Sequence, residues 1–305
     1  MPMMLPVLRR ATLPALLLPF LLLLSASAQA AVEVFACEPE WAALSRVLVD
    51  PEAEVFSATH AGQDPHHVQA RPSLIARLRG ADLVVCTGAG LESGWMPMLQ
   101  RRARNPRVLD GAPGYFEATD QVTLLDVPAS LDRAQGHLHG DGNPHIQLDP
   151  RRLLTVAEAL SQRLQQIDPA NAAAYQERLA TFTAAWQAAL QRWEAQAAPL
   201  RGRAAVVHHR EWRYLLDWLD MRIAGALEPK PGVPPTLAHL AELKGLQADL
   251  IIHSPLNDPQ PAQWLQAQTG QPVVELPHTV GAVPDTASLE ALFDTLVDRL
   301  VAAIR

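Results

Sequence analysis

Short apolar, β-branched runs alternate along this chain with stretches in which apolar positions recur every three or four residues. In the first half the runs fall at 32–36, 54–57, 82–86 and 107–109. In the second half they fall at 204–208, 222–226, 250–253 and 272–276. Runs this short, rich in Val, Ile and Phe, read as buried strands. The segments between them, such as 72–79 and 237–246, carry helical spacing. Strand–helix alternation of this kind predicts an α/β fold with parallel sheets covered by helices.

One helical pattern is much longer than the rest. Over 169–197 the residues Tyr175, Leu179, Phe182, Trp186, Leu190 and Trp193 form a single apolar stripe. Asp168 before Pro169 is a suitable N-cap with proline at the first helical position, and Pro199 and Gly202 mark the end. At 1.5 Å per residue such a helix is roughly 40 Å long, enough to cross a whole domain. It reads as a spine joining two α/β lobes; the plainer alternative is core packing within one lobe. The expected organisation is therefore a leader at 1–30, an N-terminal lobe at 31–167, a connecting helix at 168–199 and a C-terminal lobe at 200–305.

The start of the chain has the form of a secretory signal. Arg9 and Arg10 precede an apolar run from Ala11 to Leu24, and Ala28-Gln29-Ala30 supplies a small-residue cleavage site. The run is short for a membrane span of about 20 residues. A lipoprotein would carry a cysteine just after the run, whereas Cys37 lies beyond Glu33. Removal of the two arginines takes the formal net charge from −7 to about −9. An acidic surface argues against nucleic acid and is compatible with attracting cations. Cys37 and Cys86 are the two cysteines of the chain, each following a β-like run. In an oxidising compartment they form either a disulfide, if their strands are neighbours, or two buried thiols.

Two further motifs are of low specificity. Gly88-Ala89-Gly90 follows a strand but lacks the dinucleotide fingerprint and the P-loop Lys-Ser/Thr, so it reads as a strand-to-helix turn. Glu228-Pro229-Lys230-Pro231-Gly232-Val233-Pro234-Pro235 is a stiff connection, and Thr236 after it is placed to cap the next helix.

The candidate chemistry lies in the histidines. His66 in Asp64-Pro65-His66-His67, His145 in Asn143-Pro144-His145, His209 in Val207-His208-His209 and His278 in Leu276-Pro277-His278 are too far apart for one loop or helix. No zinc-finger spacing and no His-Glu-x-x-His helix occurs, so a shared site requires tertiary structure. His66 stands on a strand-to-helix loop, and His209 and His278 follow predicted strands, where open α/β sheets bind ligands. Gathered together they would offer a nitrogen-rich pocket to a divalent transition metal. His253 competes with His278, and water is a third choice for a fourth donor. His67 is expected to point away, and His208 to hydrogen-bond within its lobe. His137 and His139 belong to a small His/Gly-rich loop that captures metal loosely, covers the site or is a surface turn with incidental histidines. Asp149 is placed to orient an imidazole or to cap the following helix, and Glu211 either accepts from a ligand imidazole or is an exposed helix carboxylate.

In order along the chain, several motifs resemble those of the metal-binding substrate-binding proteins of zinc and manganese ABC importers (the cluster A-I family). They are Asp64-Pro65-His66 with Arg71-Pro72-Ser73, Ala81 to Val85 through Gly88 to Leu91-Glu92, Asn143-Pro144-His145 with Leu148-Asp149, and Val207-His208-His209 with Trp212 and Tyr214. The resemblance implies two lobes joined by a long helix, metal held between them, a periplasmic location and delivery to an inner-membrane permease. It departs at the fourth ligand, where many members have Asp in Leu-Asp-Pro and this chain has Leu276-Pro277-His278.

Together these observations predict a monomeric, non-enzymatic periplasmic protein that captures Zn²⁺ with His66, His145, His209 and His278. Imidazole donors favour zinc, whereas Mn²⁺ prefers more oxygen ligands. The competing readings are a periplasmic zinc buffer or metallochaperone, and a three-histidine zinc hydrolase.

Overall fold

The computed structural model describes residues 31–129 and 139–305. The leader at 1–30 and His137 lie outside them. Strands β1 (Val34–Ala36), β2 (Val55–Ser57), β3 (Leu83–Cys86) and β4 (Tyr115–Glu117) form one sheet in the order β2-β1-β3-β4. Strands β5 (Ala204–Val207), β6 (Arg222–Ala226), β7 (Leu250–His253) and β8 (Val273–Glu275) form a second in the order β6-β5-β7-β8. Every pairing is parallel. The same winding is thus used twice, and in each sheet the first strand of its half lies inside rather than at an edge. Central strands β3, β5 and β7 are buried throughout, as parallel strands covered on both faces must be. The two-lobe α/β architecture expected from the alternation is the one observed.

Helices α1 (Pro39–Leu48), α2 (Pro72–Gly80) and α3 (Met96–Ala103) connect the strands of the first sheet. Helices α6 (Arg213–Trp218), α7 (Leu237–Leu243) and α8 (Gln260–Thr269) connect those of the second. Helix α4 (Pro150–Ile167) leads into α5 (Ala172–Gln196), and α9 (Leu289–Ala303) ends the fold. Thr236 caps α7 as expected, accepting from the amide of His239.

One expected strand is absent. Residues 107–109 lie at a 3₁₀ turn, Pro106–Val108, and the fourth strand begins at Tyr115. Asn105 decides this locally: its side chain accepts from the Arg107 amide and donates to the carbonyls of Leu78 and Ala81. These bonds fix a turn where the apolar run alone suggests extension. The strand that does form follows Gly114, where a Cβ would stand 2.5 Å from the carbonyl oxygens of Arg107 and Asp82.

The long helix runs 25 residues after one 3₁₀ turn, Pro169–Asn171. Asp168 stands at the N-cap of that turn, its carbonyl accepting from the Asn171 amide. Its carboxylate accepts from Asn171 Nδ2 at 2.8 Å and from the Tyr175 hydroxyl at 2.7 Å. On the apolar stripe Tyr175, Trp186 and Trp193 are buried, with Leu179, Phe182 and Leu190 partly so. Trp186 stacks on Phe182, and its indole N–H donates to the Pro150 carbonyl at the head of α4. Trp193 packs on Phe293 of α9 and edge-on to Trp218, while its N–H donates to Asp294. The helix therefore packs against α1, α4 and α9. One apolar core runs continuously from Val34 and Leu83 of the first sheet to Val207 and Ile252 of the second.

Cys37 and Cys86 form a disulfide with Cα atoms 4.8 Å apart, inside the range a bridge requires. The register explains it: Ala36 pairs with Val85, so the next residue of each strand ends beside the other. Closing a loop of 49 residues contributes on the order of 4 kcal/mol. No helix among the described residues is long and apolar enough to cross a membrane.

Truncating the indole that joins the two halves is expected to be costly. Trp193→Ala should lower the free energy of unfolding by about 3–5 kcal/mol in a urea titration. A loss under about 1 kcal/mol would contradict the role given to this contact.

Candidate metal centre

Parallel topology sends the loops after the strands to one side of each sheet. His66 follows β2, His145 precedes α4, His209 follows β5 and His278 follows β8. All four line one cavity of about 730 Å³, and His139 lines it with them. Each of the five is half-buried.

Two of the loops share a local design. In Asp64-Pro65-His66 the Asp64 Oδ1 accepts from the His66 amide at 2.9 Å and faces His66 Nδ1 at 2.8 Å. In Asn143-Pro144-His145 the Asn143 Oδ1 accepts from the His145 amide at 3.1 Å and faces His145 Nδ1 at 2.8 Å. Such Asx turns use a short polar side chain to fold the backbone two residues on, and here the same oxygen also fixes an imidazole. The proline between holds the turn. Trp95 donates to the Pro65 carbonyl, and the buried Tyr214 donates to the Asn143 carbonyl. Asn143 Nδ2 further donates to the Arg210 carbonyl at 3.0 Å, tying the His145 loop to the residue after His209.

His209 is oriented by a different route. Its Nδ1 faces Glu228 Oε2 at 2.7 Å, and the same carboxylate oxygen accepts from the Gly232 amide at 3.0 Å. The parallel register accounts for the encounter. Val207 pairs with Ala226, so two residues further on His209 lies beside Glu228. Glu228 also pins the proline-dense connection of 228–235, of which Pro231, Gly232 and Val233 line the cavity.

Other expectations are redirected. Glu228, not Glu211, accepts from His209; Glu211 is buried with Oε2 unpartnered. Asp149 caps α4 through the Arg151 amide and pairs with Arg151 and Arg152 rather than holding an imidazole. His208 is buried, but its Nδ1 lacks the hydrogen bond expected of it. The ring of His67 is largely exposed, as anticipated. His253 is buried and its Nδ1 faces the Ser254 carbonyl, outside the cavity lining. His278 lines the cavity with its Nδ1 buried and unpartnered. The orienting oxygens of Asp64, Asn143 and Glu228 were not singled out by sequence patterning, although the first two stand in the motifs themselves.

Charge is distributed unevenly. The hydrogen bond from His66 holds the Asp64 carboxyl down at about 2. Burial, followed by the neighbouring His209, His66, His139 and His278, keeps His145 well below the usual imidazole range. Burial likewise holds His278 down at about 4. His209 moves the other way: burial opposes protonation, but the Glu228 hydrogen bond and the charges of Glu211 and Glu228 outweigh it. Burial raises Glu38 strongly, Glu40 to about 7 and Glu211. These three carboxyls line the same cavity and are pushed towards their neutral forms.

Chemically, an Nδ1 facing an oxygen acceptor carries the proton, so the Nε2 of His66, His145 and His209 keeps its lone pair. Orienting acceptors of this kind are the usual support of metal-binding imidazoles. His145 and His209 meet edge-on with ring centroids 5.9 Å apart. Among the described residues, the donor atoms that all lie within 4.8 Å of one another are those of Cys37, Cys86 and Glu92. Those sulfurs are joined to each other, so that group offers no thiolate. The imidazoles surround a wider space.

The model of the family described as zinc-uptake complex component A, periplasmic (ZnuA), matches residues 34–303. Among curated proteins, the manganese ABC transporter substrate-binding lipoprotein PsaA of Streptococcus pneumoniae is 24% identical over 140 residues, 46% of this chain and 43% of that protein. The iron ABC transporter substrate-binding lipoprotein MtsA of Streptococcus pyogenes serotype M1 is 23% identical over 144 residues, with the same coverage. The chain thus spans less than half the length of these curated relatives. A crystal structure of ZnuA superposes with a TM-score of 0.74 at 20% identity, covering 90% of this chain and 100% of that one. A manganese-bound periplasmic metal binding protein from Candidatus Liberibacter asiaticus gives 0.74 at 16% identity, with the same coverage. At these identities the superpositions establish the fold.

The His209–Glu228 pair predicts a pH signature in the metal-free protein. A raised imidazole value means the pair's contribution is complete below the unfolded value of about 6.5 and is lost as pH rises through the higher folded value. Glu228 is held below its ordinary value by His209 despite burial, so it stays ionised across this window. The difference in thermal midpoint between wild type and Glu228→Gln should be largest below about pH 6.5 and shrink as pH rises through the raised imidazole value. A difference that grows with pH would contradict the pairing.

Proposed function

We propose, from the premise that this chain belongs to the periplasmic zinc-uptake component A family, that it captures Zn²⁺ and delivers it to the membrane permease of an ABC importer. The observation that carries the reading is the convergence of His66, His145 and His209 on one cavity, each with Nδ1 held by an oxygen. The two sheets contribute different donors, so the metal would couple the two halves. His278 lines the same cavity in neutral form and is available, with His139, for a fourth position.

The choice of zinc rests on donor type. Neutral imidazoles suit zinc, while manganese and magnesium favour carboxylate and water. The buried Glu38, Glu40 and Glu211 are pushed towards their neutral forms and so are poor hard donors. Relatives named for manganese and for iron make the metal a matter for measurement. A tetrahedral zinc shell places nitrogens about 3.3 Å apart, whereas the donors of His66, His145 and His209 do not all lie within 4.8 Å of one another. Binding should therefore draw the loops inward and raise the thermal midpoint.

In this reading residues 1–30 direct export and are removed, and the mature monomer works in the periplasm. Residues 31–167 and 200–305 act as the two lobes, with 168–199 as their connection. Catalysis is not part of the proposal: the relatives are named as substrate-binding proteins. A zinc buffer or metallochaperone would use the same site with another partner.

Competitive titration of metal-free protein should show Zn²⁺ preferred over Mn²⁺. His66→Ala, His145→Ala and His209→Ala should each weaken zinc binding by more than roughly 100-fold, beyond the effect of losing an orienting group. Undiminished affinity in all three would overturn the site. Asn143→Ala, which frees His145 and releases the Arg210 carbonyl, should weaken binding by roughly 10–100-fold, measured in the same titration; an unchanged constant would contradict its orienting role.

A further inference from the structure

Behind one wall of the histidine cavity lies a second group of donors that the proposed function does not use. The Sγ atoms of Cys37 and Cys86 and a carboxylate oxygen of Glu92 all lie within 4.8 Å of one another, and the three residues are buried. Cys37 follows β1, Cys86 ends the neighbouring β3, and Glu92 returns from the turn after β3. Two amides hold its carboxylate there: Oε1 accepts from Thr87 at 2.7 Å and Oε2 from Gly88 at 3.1 Å. An ionised carboxylate has about four lone-pair sites, so these bonds orient Glu92 and leave it able to bind.

Glu38 connects this group to the cavity. It is the residue after Cys37; its Oε2 accepts from the Thr87 hydroxyl at 3.0 Å, and its Oε1 is buried with no hydrogen-bond partner. Glu38 also lines the histidine cavity, which gives the inner group an entry path. Burial raises Glu92 to about 7, and burial with the charges of Glu92 and Glu40 raises Glu38 well above the carboxylate range. A cation placed beside such acids relieves them.

While the two sulfurs are bonded to each other the group has no thiolate. A dithiol reductant, R(SH)₂, gives two electrons and two protons to the Cys37–Cys86 bond. That bond breaks, two thiols form, and the reductant closes its own disulfide. A divalent ion then displaces the two thiol protons to water. Two thiolates and a carboxylate suit zinc, whereas manganese and magnesium favour oxygen alone.

We propose that reduction of the Cys37–Cys86 disulfide opens a second, thiolate-based site for a zinc-like cation, formed by Cys37, Cys86 and Glu92 and entered past Glu38. It is separate from the histidines, closed in the oxidised chain and open in the reduced one.

The test compares the full mature chain, stripped of metal, in its oxidised form and after reduction by a phosphine. The phosphine R₃P takes oxygen from water to become R₃P=O, the disulfide becomes two thiols, and the reagent is removed under inert gas. The reduced chain should take up one more equivalent of Zn²⁺ than the oxidised chain. With Co²⁺ the reduced chain alone should show a thiolate-to-metal charge-transfer band in the near ultraviolet. Glu92→Gln should lose the added equivalent and keep the uptake of the oxidised chain. Equal uptake with no such band in either form would overturn the proposal. So would a disulfide that the phosphine cannot open in the folded chain, or a band that appears only with loss of the folded circular dichroism. An undiminished added equivalent in Glu92→Gln would overturn the part given to that carboxylate. Uptake by the oxidised chain reports on the histidines alone, so failure of that site is read separately.

Discussion

The site depends on a constraint far larger than itself: two separate parallel sheets must hold their carboxyl ends around the same space. Neither sheet could do this alone, because His66 belongs to the loops of one and His209 to those of the other. The constraint is met by a single apolar core through which α5 passes. Trp186 fixes that helix to the head of α4, and Trp193 fixes it to α9 through Phe293 and Asp294. A close-packed interior of large aromatic rings resists small displacements. The geometry at the cavity therefore inherits its precision from contacts in the core.

Within that frame, orientation is provided by oxygens rather than by packing. Asp64, Asn143 and Glu228 each hold an Nδ1, and Asn143 also reaches the carbonyl after His209. The loops of the two halves are consequently joined by hydrogen bonds at the cavity as well as by the core beneath it. The charges follow the same plan. The half-buried His145 and His278 are kept neutral, while His209 is drawn towards protonation by its carboxylate partner.

Much of this was legible in the sequence, and the exceptions have physical causes. Seven of the eight strands were visible because buried parallel strands are short apolar runs, and α5 because its stripe is long. The fourth strand was misplaced because 107–109 carries apolar residues that Asn105 bends into a turn, whereas Tyr115–Glu117 is a three-residue edge strand with too little pattern to detect. The Asx-Pro-His motifs announced two of the candidate histidines, since a local turn orients each. Glu228 was not recognised as a partner of His209, because their contact comes from strand register across 19 residues. Likewise, the contact of the Ala89 carbonyl with His139 Nδ1 spans 50 residues and leaves no local mark in the sequence.

The most direct test of the central claim is zinc K-edge X-ray absorption on the protein loaded with one equivalent of Zn²⁺. Converging imidazoles predict a four-coordinate shell of nitrogens at about 2.0–2.1 Å, with the outer-shell scattering of histidine rings. A six-coordinate oxygen shell, or a sulfur at about 2.3 Å, would contradict it.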